Sequence, residues 1–363
     1  MEWKFAWMRA WDEVWAADRL ADWRAAHSPH TNARATPFTH PDIVRAWVNA
    51  AGAERHTPFF LEARHPDGRV ARFHLVRPGP RAGDAWVRRI VPVGARVFDY
   101  HDPLVTAPPG VDPRLDSGFW AALRAELERR AGRWFDVVHI PRLRSACSEE
   151  GAQGRTVDVA PWVSFGPYED FDAFLAARSG NLRSMIRRAE RKLAARGALA
   201  FNVHGPGDIA AVQGWLPRLI ETKTAKFGDA FDAAFFAAFL PELVRLGVPA
   251  GVVHCSSTTL DGEAINWEVD FWLGGVFYKY MFASDPAHAR VSLGNLHTGW
   301  TIDWALRHGA RAYDFLRGAE KYKYSWTDGA EHRMQGFKHA GRAPCGLLRR
   351  AVSRGLSRLG ARG

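Results

Sequence analysis

The sequence predicts a mixed α/β protein built as two domains. Three observations carry this expectation. The chain has 363 residues, more than one ordinary domain holds. Its 47% apolar and 24% charged residues are those of a globular chain that buries a sizeable core. Each half also repeats one order of elements: a hairpin turning on Asp-Gly, a further strand, a helix and a closing strand. A strand-helix-strand crossover beside hairpins implies mixed sheets partly covered by helices. The expected limits are 1–160 and 161–340, followed by a basic tail at 341–363.

Taken in order, "MEWKFAWMRAWDEVWAADRL" spaces Trp3, Trp7, Trp11 and Trp15 four apart, which predicts the buried stripe of a helix. A Pro/His/Thr-rich connector at 27–41 leads to a helix at 42–52 ending on Gly52. Residues 58–77 read as two strands around Asp67-Gly68, then "RRIVPVG" and "FDYHDPLV" as short strands. A helix near 116–131, a strand at 133–143 and the small-residue stretch "RSACSEEGAQGRTVD" close the first half. The second half predicts helices at 170–178, 181–196, 208–226 and 231–246. Strands then flank Asp261-Gly262 within 251–272 and fill 275–283; a helix at 296–308 and the strand "RAYDFLRG" follow. The closing strands rhyme, "WFDVV" against "AYDFL".

Composition excludes several classes. Cys147, Cys255 and Cys345 are far apart and form no CxxC or Cys/His ligand spacing, so reduced thiols in a cytoplasmic setting are expected, with no disulfide framework and no metal site. The N-terminus lacks the basic start and apolar core of a signal peptide, and no run is long enough to span a bilayer. No GxGxxG, Walker A or GxSxG motif supports a dinucleotide, P-loop or hydrolase function. The net charge of +10 is concentrated in 181–197 and in the tail, which attracts phosphates, nucleic acid and anionic lipid alike.

The connection from Ser284 to Asn295, "SDPAHARVSLGN", is twelve residues long. Strand-to-helix loops usually take about two to six, so the excess asks for a use. With Asn295 as helix cap and Gly294 beside it, the loop and helix amides would form an anion cradle. An ordinary crossover loop is the alternative.

The run 275–326 resembles the C-terminal signature of a branch of the GNAT acyltransferase superfamily, which groups FemAB-like transferases with acetyltransferases of cellulose and exopolysaccharide biosynthesis. The matching residues are Ser292-Leu293-Gly294, Asp314 to Gly318, and Glu320 with Tyr322-Lys323. "LRSMIRRAERKLAARG" and "LIETKTAKFG" resemble upstream helices of the same domain. Leu293 departs from the proline often found there. The resemblance covers roughly 165–330, and it implies two tandem GNAT-like domains, the first degenerate. It also implies an acyl-coenzyme A co-substrate, acetyl-coenzyme A foremost, with its pyrophosphate on the backbone of Ser292, Leu293, Gly294 and Asn295. Arg290 is then either an electrostatic aid or a solvated loop residue.

Acyl transfer needs a base for the acceptor proton and donors for the developing oxyanion. "EAINWEVDFW" alternates, placing Asn266, Glu268 and Asp270 on one strand face. Glu268 is the leading base candidate and Asp270 the second, unless that face is simply wet. Glu320, Tyr322 and Lys323 fall past the next strand, where ligands of open sheets gather. Tyr322 is the candidate proton donor to the leaving thiolate, and Asn266, Arg317 and Lys323 the acceptor-binding set. The helix at 181–196 sets Leu182, Ile186 and Leu193 against an arginine face, either a solvated face or a collar for phosphorylated ligands. Leu348, Val352, Leu356 and Leu359 stripe the tail, a pattern either for weak contact with the inner membrane surface or for a disordered tail.

The expected activity is transfer of an acyl group to an amine or hydroxyl of a small molecule, glycan or sugar-nucleotide precursor. A FemAB-like transfer from aminoacyl-tRNA is the alternative, and a non-enzymatic basic RNA- or membrane-binding protein the second. Nucleic acid ranks last as partner, because the basic stretches lack interleaved aromatics for base stacking.

Overall fold

The structure, a computed structural model, describes residues 2–80, 87–144 and 156–360. Cys147 and most of the expected boundary stretch lie outside them. The chain divides into two compact units, 1–159 with 333–363, and 160–332.

The first unit opens on β1 (Lys4–Met8), α1 (Trp11–Val14) and α2 (Ala17–Ala25). This corrects the expected Trp-striped helix. A four-residue spacing returns to the same face of a strand as readily as of a helix, because two divides four. Trp3, Phe5 and Trp7 thus point together into one core with Phe59, Phe119 and Trp134. Then come β2 (Ala33–Arg34), α3 (Pro41–Ala51), β3 (His56–Pro58), β4 (Phe60–Arg64) and β5 (Val70–Phe73). After them run β6 (Leu75–Pro78), β7 (Arg89–Pro92), β8 (Leu104–Thr106), α4 (Ser117–Arg130) and β9 (Val137–Arg144). Five strands form one sheet in the order β1-β4-β5-β8-β2.

The second unit takes up the chain at Ala160, inside β10 (Thr156–Ser164). It continues through α5 (Phe171–Ala176), α6 (Gly180–Ala194), β11 (Leu199–His204), α7 (Ile209–Phe227) and α8 (Ala233–Gly247). Then follow β12 (Val253–Leu260), β13 (Glu263–Leu273), β14 (Val276–Ser284), α9 (Leu293–Arg307), β15 (Ala312–Asp314) and α10 (Lys321–Tyr324). The sheet order is β11-β12-β13-β14-β15-β10, antiparallel except for the parallel pair β14/β15. Asp261 and Gly262 both hold positive φ, at 52° and 85°, as a two-residue hairpin requires. The apolar stripes of α5, α6 and α9 share one core with Phe277 and Tyr313. Gly299 lets α6 and α9 approach: a Cβ there would already touch Trp326, Phe171 and Ile186.

The chain finally returns to the first unit with β16 (Glu331–Ala340) and α11 (Pro344–Gly360). Residues 333–340 therefore leave the domain expected to contain them. The expected tail is a helix held on the first unit, where Arg349 Nε donates to buried Asp136 at 2.9 Å and Arg350 bonds the Asp136 and Gly341 carbonyls. Leu347, Leu348 and Val352 stay exposed on it. No helix among the described residues is long and apolar enough to cross a membrane.

Candidate active site

The β14/β15 ladder is short. Val276, Phe277 and Tyr278 pair with Ala312, Tyr313 and Asp314, and there the register ends while β14 runs on to Ser284. The two strands part at their carboxyl ends, the place where parallel sheets leave room for ligands. A groove of about 260 Å³ opens there, lined by Phe282, Ser284, His288, Leu293, Gly294, Asn295, Thr298 and Tyr322 among others.

One wall is the start of α9. The loop before it is shorter than expected, because α9 begins at Leu293 and a 3-10 turn occupies Pro286–His288. Ser292, not Asn295, is the cap residue, and its hydroxyl makes no cap hydrogen bond. Asn295 is instead held inside the fold, its Nδ2 3.2 Å from Met185 Sδ and its Oδ1 accepting from Trp326 Nε1 at 3.3 Å. The Leu293 amide donates to Val291 O and that of Leu296 to Ser292 O, but those of Gly294 and Asn295 have no partner among the described residues. A Cβ on Gly294 would point at Ser284 Oγ and Phe282, 3.8 and 4.0 Å away, so the glycine keeps that wall free of a side chain. Two unspent N–H groups at the positive end of a fifteen-residue helix that lines a groove have the charge and the donors to hold an anion. Arg290 stands exposed on the loop and is not among the lining residues.

Behind the groove lies the polar face of β13. It is not wet. Asn266, Glu268 and Asp270 are all fully buried on the face that α9 covers. Lys279 ion-pairs with Glu268 Oε1, His297 Nε2 lies 3.7 Å from Oε2, and Asn266 is hydrogen-bonded to Ser284 Oγ at 2.5 Å. Asp270 sits where the β13/β14 register slips, and its Oδ1 takes the Tyr280 N–H at 2.8 Å that the slip releases. Burial would raise the Glu268 carboxyl, but Lys279 and then His297 hold it below its ordinary value. Burial and the neighbouring Glu268 charge push Asp270 well up, so the pair shares one proton. Burial also lowers His297 to about 4; its ring is tied to Ser256 Oγ at 2.9 Å and Thr258 Oγ1 at 2.7 Å. Neither carboxylate has a surface through which to meet an acceptor, which corrects their expected role as direct base.

Lys323 is corrected as well. It is 4% exposed, and its ammonium donates to Leu316 O at 3.2 Å and Arg317 O at 2.6 Å and pairs with Glu320 Oε2 at 2.9 Å. Three donors and three acceptors leave nothing for a substrate. Glu320 is exposed, and although desolvation opposes it, Lys323 holds its carboxyl low. Arg317 is exposed and lies beyond β15. Tyr322 does line the groove, its ring 6.0 Å from that of Phe282. Burial, with Glu320 and Glu268 nearby, pushes its phenol far up, so it keeps its proton and is available as a hydrogen-bond donor. Asp314 is structural, accepting the Leu316 N–H at 2.8 Å.

Three residues here carry no expectation from sequence. His288 lines the groove with Nδ1 unpaired among the described residues. Lys279 is a lone cation inside the apolar run "GVFYKYMFA", a signal of a buried partner. Lys223 continues the buried stripe of Val212, Leu216 and Leu219 at helical spacing. On α6, Leu182, Ile186, Ala189 and Leu193 are buried while Arg187, Arg188, Arg191 and Lys192 are exposed, an amphipathic helix with a solvated face. Among the described residues no group of three His, Cys, Asp or Glu is placed to hold a metal ion.

Residues 180–324 match the family model described as the acetyltransferase (GNAT) domain. No curated protein matches the sequence. Among solved structures, a conserved protein of unknown function from Bacteroides thetaiotaomicron aligns at 9% identity over 89% of this chain and 97% of its own, with a TM-score of 0.55. FemX aligns at 11% identity over 88% of this chain and 99% of its own, also at 0.55. A tandem GNAT protein from the clavulanic acid biosynthesis pathway aligns at 12% identity over 93% and 98%, with a TM-score of 0.48. At such identities the first two likenesses speak for the fold alone. The protein is thus a mixed α/β chain of two compact units that shares its fold with FemX, and its stretch 180–324 matches the acetyltransferase (GNAT) domain.

Proposed function

We propose that the second unit transfers an acyl group, acetyl being the simplest, from a coenzyme A thioester to an amine or hydroxyl. The acceptor class we favour is a glycan or sugar-nucleotide precursor, attacked directly in a ternary complex. The observation that carries this reading is the pair of unspent amides, Gly294 and Asn295, facing the groove beside the parting of β14 and β15. Pyrophosphate fits that seat by charge and hydrogen bonding. His288, Ser292 and Thr298 line the same wall and would flank it. The thioester would then run toward the gap beyond Tyr278 and Asp314, within reach of Tyr322. A phenol held neutral there supports the carbonyl oxygen or the departing sulfur by hydrogen bonding, without giving up its proton.

Titration calorimetry with acetyl-coenzyme A tests the reading, and saturable heat is expected. Silence across several acyl chain lengths would remove it. The FemX-like architecture and the charge of +10 favour a second reading, an aminoacyl-tRNA donor. Label passing from charged tRNA, and none from coenzyme A thioesters, would select it.

A further inference from the structure

With Glu268 and Asp270 sealed in and Glu320 committed to Lys323, no carboxylate is left to take the acceptor's proton, and His288 stands on the wall assigned above to the donor's pyrophosphate. α7 packs on β13 and β14 and brings Lys223 to the free end of β14. Lys223 Nζ lies 4.8 Å from the centroid of Phe282, the ring that lines the groove and meets Tyr322 edge-on. Lys279 Nζ is 4.6 Å from the same ring but is spent on Glu268. Lys223 has no carboxylate within ion-pair distance among the described residues, and it is half-buried, not sealed. Exposed Phe227, 5.4 Å from the same ammonium, walls its outer side.

We infer that Lys223 is the general base of the transfer, a reading that rests on the donor site proposed above. Its neutral Nζ accepts the proton of the acceptor N–H or O–H as that atom attacks the thioester carbonyl carbon. The new C–N or C–O bond forms and the C–S bond breaks. The electron pair leaves on the coenzyme sulfur, to which the proton held by Lys223 returns through solvent. The products are acylated acceptor and free thiol.

The surroundings suit that task. Burial foremost, then the like charges of Lys226 on α7 and Lys279 on β14, draw the ammonium down to about 8, against the pull of Glu268 on β13 and Glu320 before α10. Tyr322 on α10 stays neutral and adds no charge, and His288, the other titratable group that lines the groove, stands before α9. A base near neutrality is worth roughly 10²–10⁴ in rate.

Trace acetylation of the full-length protein with acetic anhydride, read across pH by mass spectrometry, needs no acceptor and decides first. Lys223 should label with a midpoint near 8, against about 10.4 for ordinary lysines, and saturating acetyl-coenzyme A should protect it at least about fivefold. An ordinary midpoint, or no protection while acetyl-coenzyme A is bound, overturns the inference. Turnover of acetyl-coenzyme A with ethanolamine then separates base from mere cation. K223R keeps the charge but cannot be deprotonated, so it should lose at least about a hundredfold, as K223M does. K223H should recover part of the rate with its pH profile moved toward that of an imidazole. Full activity in K223R would sink the assignment. Calorimetry keeps the two readings apart: if wild type gives no heat with acetyl-coenzyme A, the donor reading has failed, whereas K223M binding normally without turnover isolates the base.

Discussion

Two helices that pack on each other, α6 and α9, both begin with a serine, and the two serines behave oppositely. Ser179 has extended backbone, ψ 146°, and its hydroxyl takes the Leu182 N–H at 3.2 Å. Ser292 has ψ 55°, and its hydroxyl caps nothing. The first helix end is closed by its own chain; the second is left open onto a groove. Asp116, Asp170 and Asp232 close α4, α5 and α8 in the same way as Ser179. An orphaned helix end costs stability that a capping side chain would recover, about 1 kcal/mol. The fold leaves that energy uncollected at the helix end that faces the groove.

The largest test of the contrast is to close α9 artificially. In Gly294→Asp a carboxylate occupies the seat, and the new Cβ meets Ser284 Oγ only at ordinary contact distance, 3.8 Å. Two charge-assisted hydrogen bonds to the donor are lost, so acetyl-coenzyme A affinity should fall by roughly a thousandfold, about 4 kcal/mol. The thermal midpoint should hold or rise, since an acid in the first turn favours the helix. Calorimetry and a melting curve read both. Undiminished binding in a folded variant would break the comparison.

The next largest effect concerns what seats α9 from behind. His297 ordinarily titrates near 6.5 and burial lowers it to about 4. Between those values the unfolded chain binds a proton that the native ring refuses. Stability is therefore untouched above pH 6.5 and falls as pH drops toward 4, by about 3 kcal/mol for this one group. His254, lowered by burial to about 3, adds to the same slope. Urea unfolding at pH 7 and pH 4 should show the loss, and His297→Gln should remove about one proton's share of it. An identical pH dependence in the variant would show that the ring is not held neutral.

Much of this frame was legible beforehand. The helices over α4 and α6 to α8 follow from apolar spacing, and the strands from Val253 to Ser284 from their alternation and the Asp-Gly turn. The helix end at Gly294 was legible too, though through the wrong cap: a Ser and an Asn three apart both satisfy the preference, and only backbone ψ decides between them. The N-terminal helix failed because a four-residue tryptophan spacing fits both periods. The β13 face was identified correctly as polar, but alternation gives the face and not what covers it. His297, the residue that makes that face an interior one, lies nearly thirty positions further along the chain than Glu268. Lys223 has a local signal, a cation on an apolar stripe, yet its meaning depends on Phe282 and on the early end of the β15 ladder. Both are tertiary facts.

The finest test returns to the two serines. Ser179→Ala removes a cap that is made, so it should cost about 1 kcal/mol of unfolding free energy and leave acetyl-coenzyme A binding unchanged. Ser292→Ala removes a hydroxyl that caps nothing, so the stability change should stay below about 0.5 kcal/mol. Its hydroxyl lines the groove, and a modest loss of donor affinity, up to about tenfold for one hydrogen bond, is expected there. The informative quantity is the crossover: one alanine moves the urea midpoint and not the binding isotherm, the other the isotherm and not the midpoint. Should Ser292→Ala destabilise the protein as much as Ser179→Ala, its hydroxyl would be capping α9 in solution. The helix end would then be closed by the protein itself, and the opening of the groove at Gly294 would be no place for diphosphate.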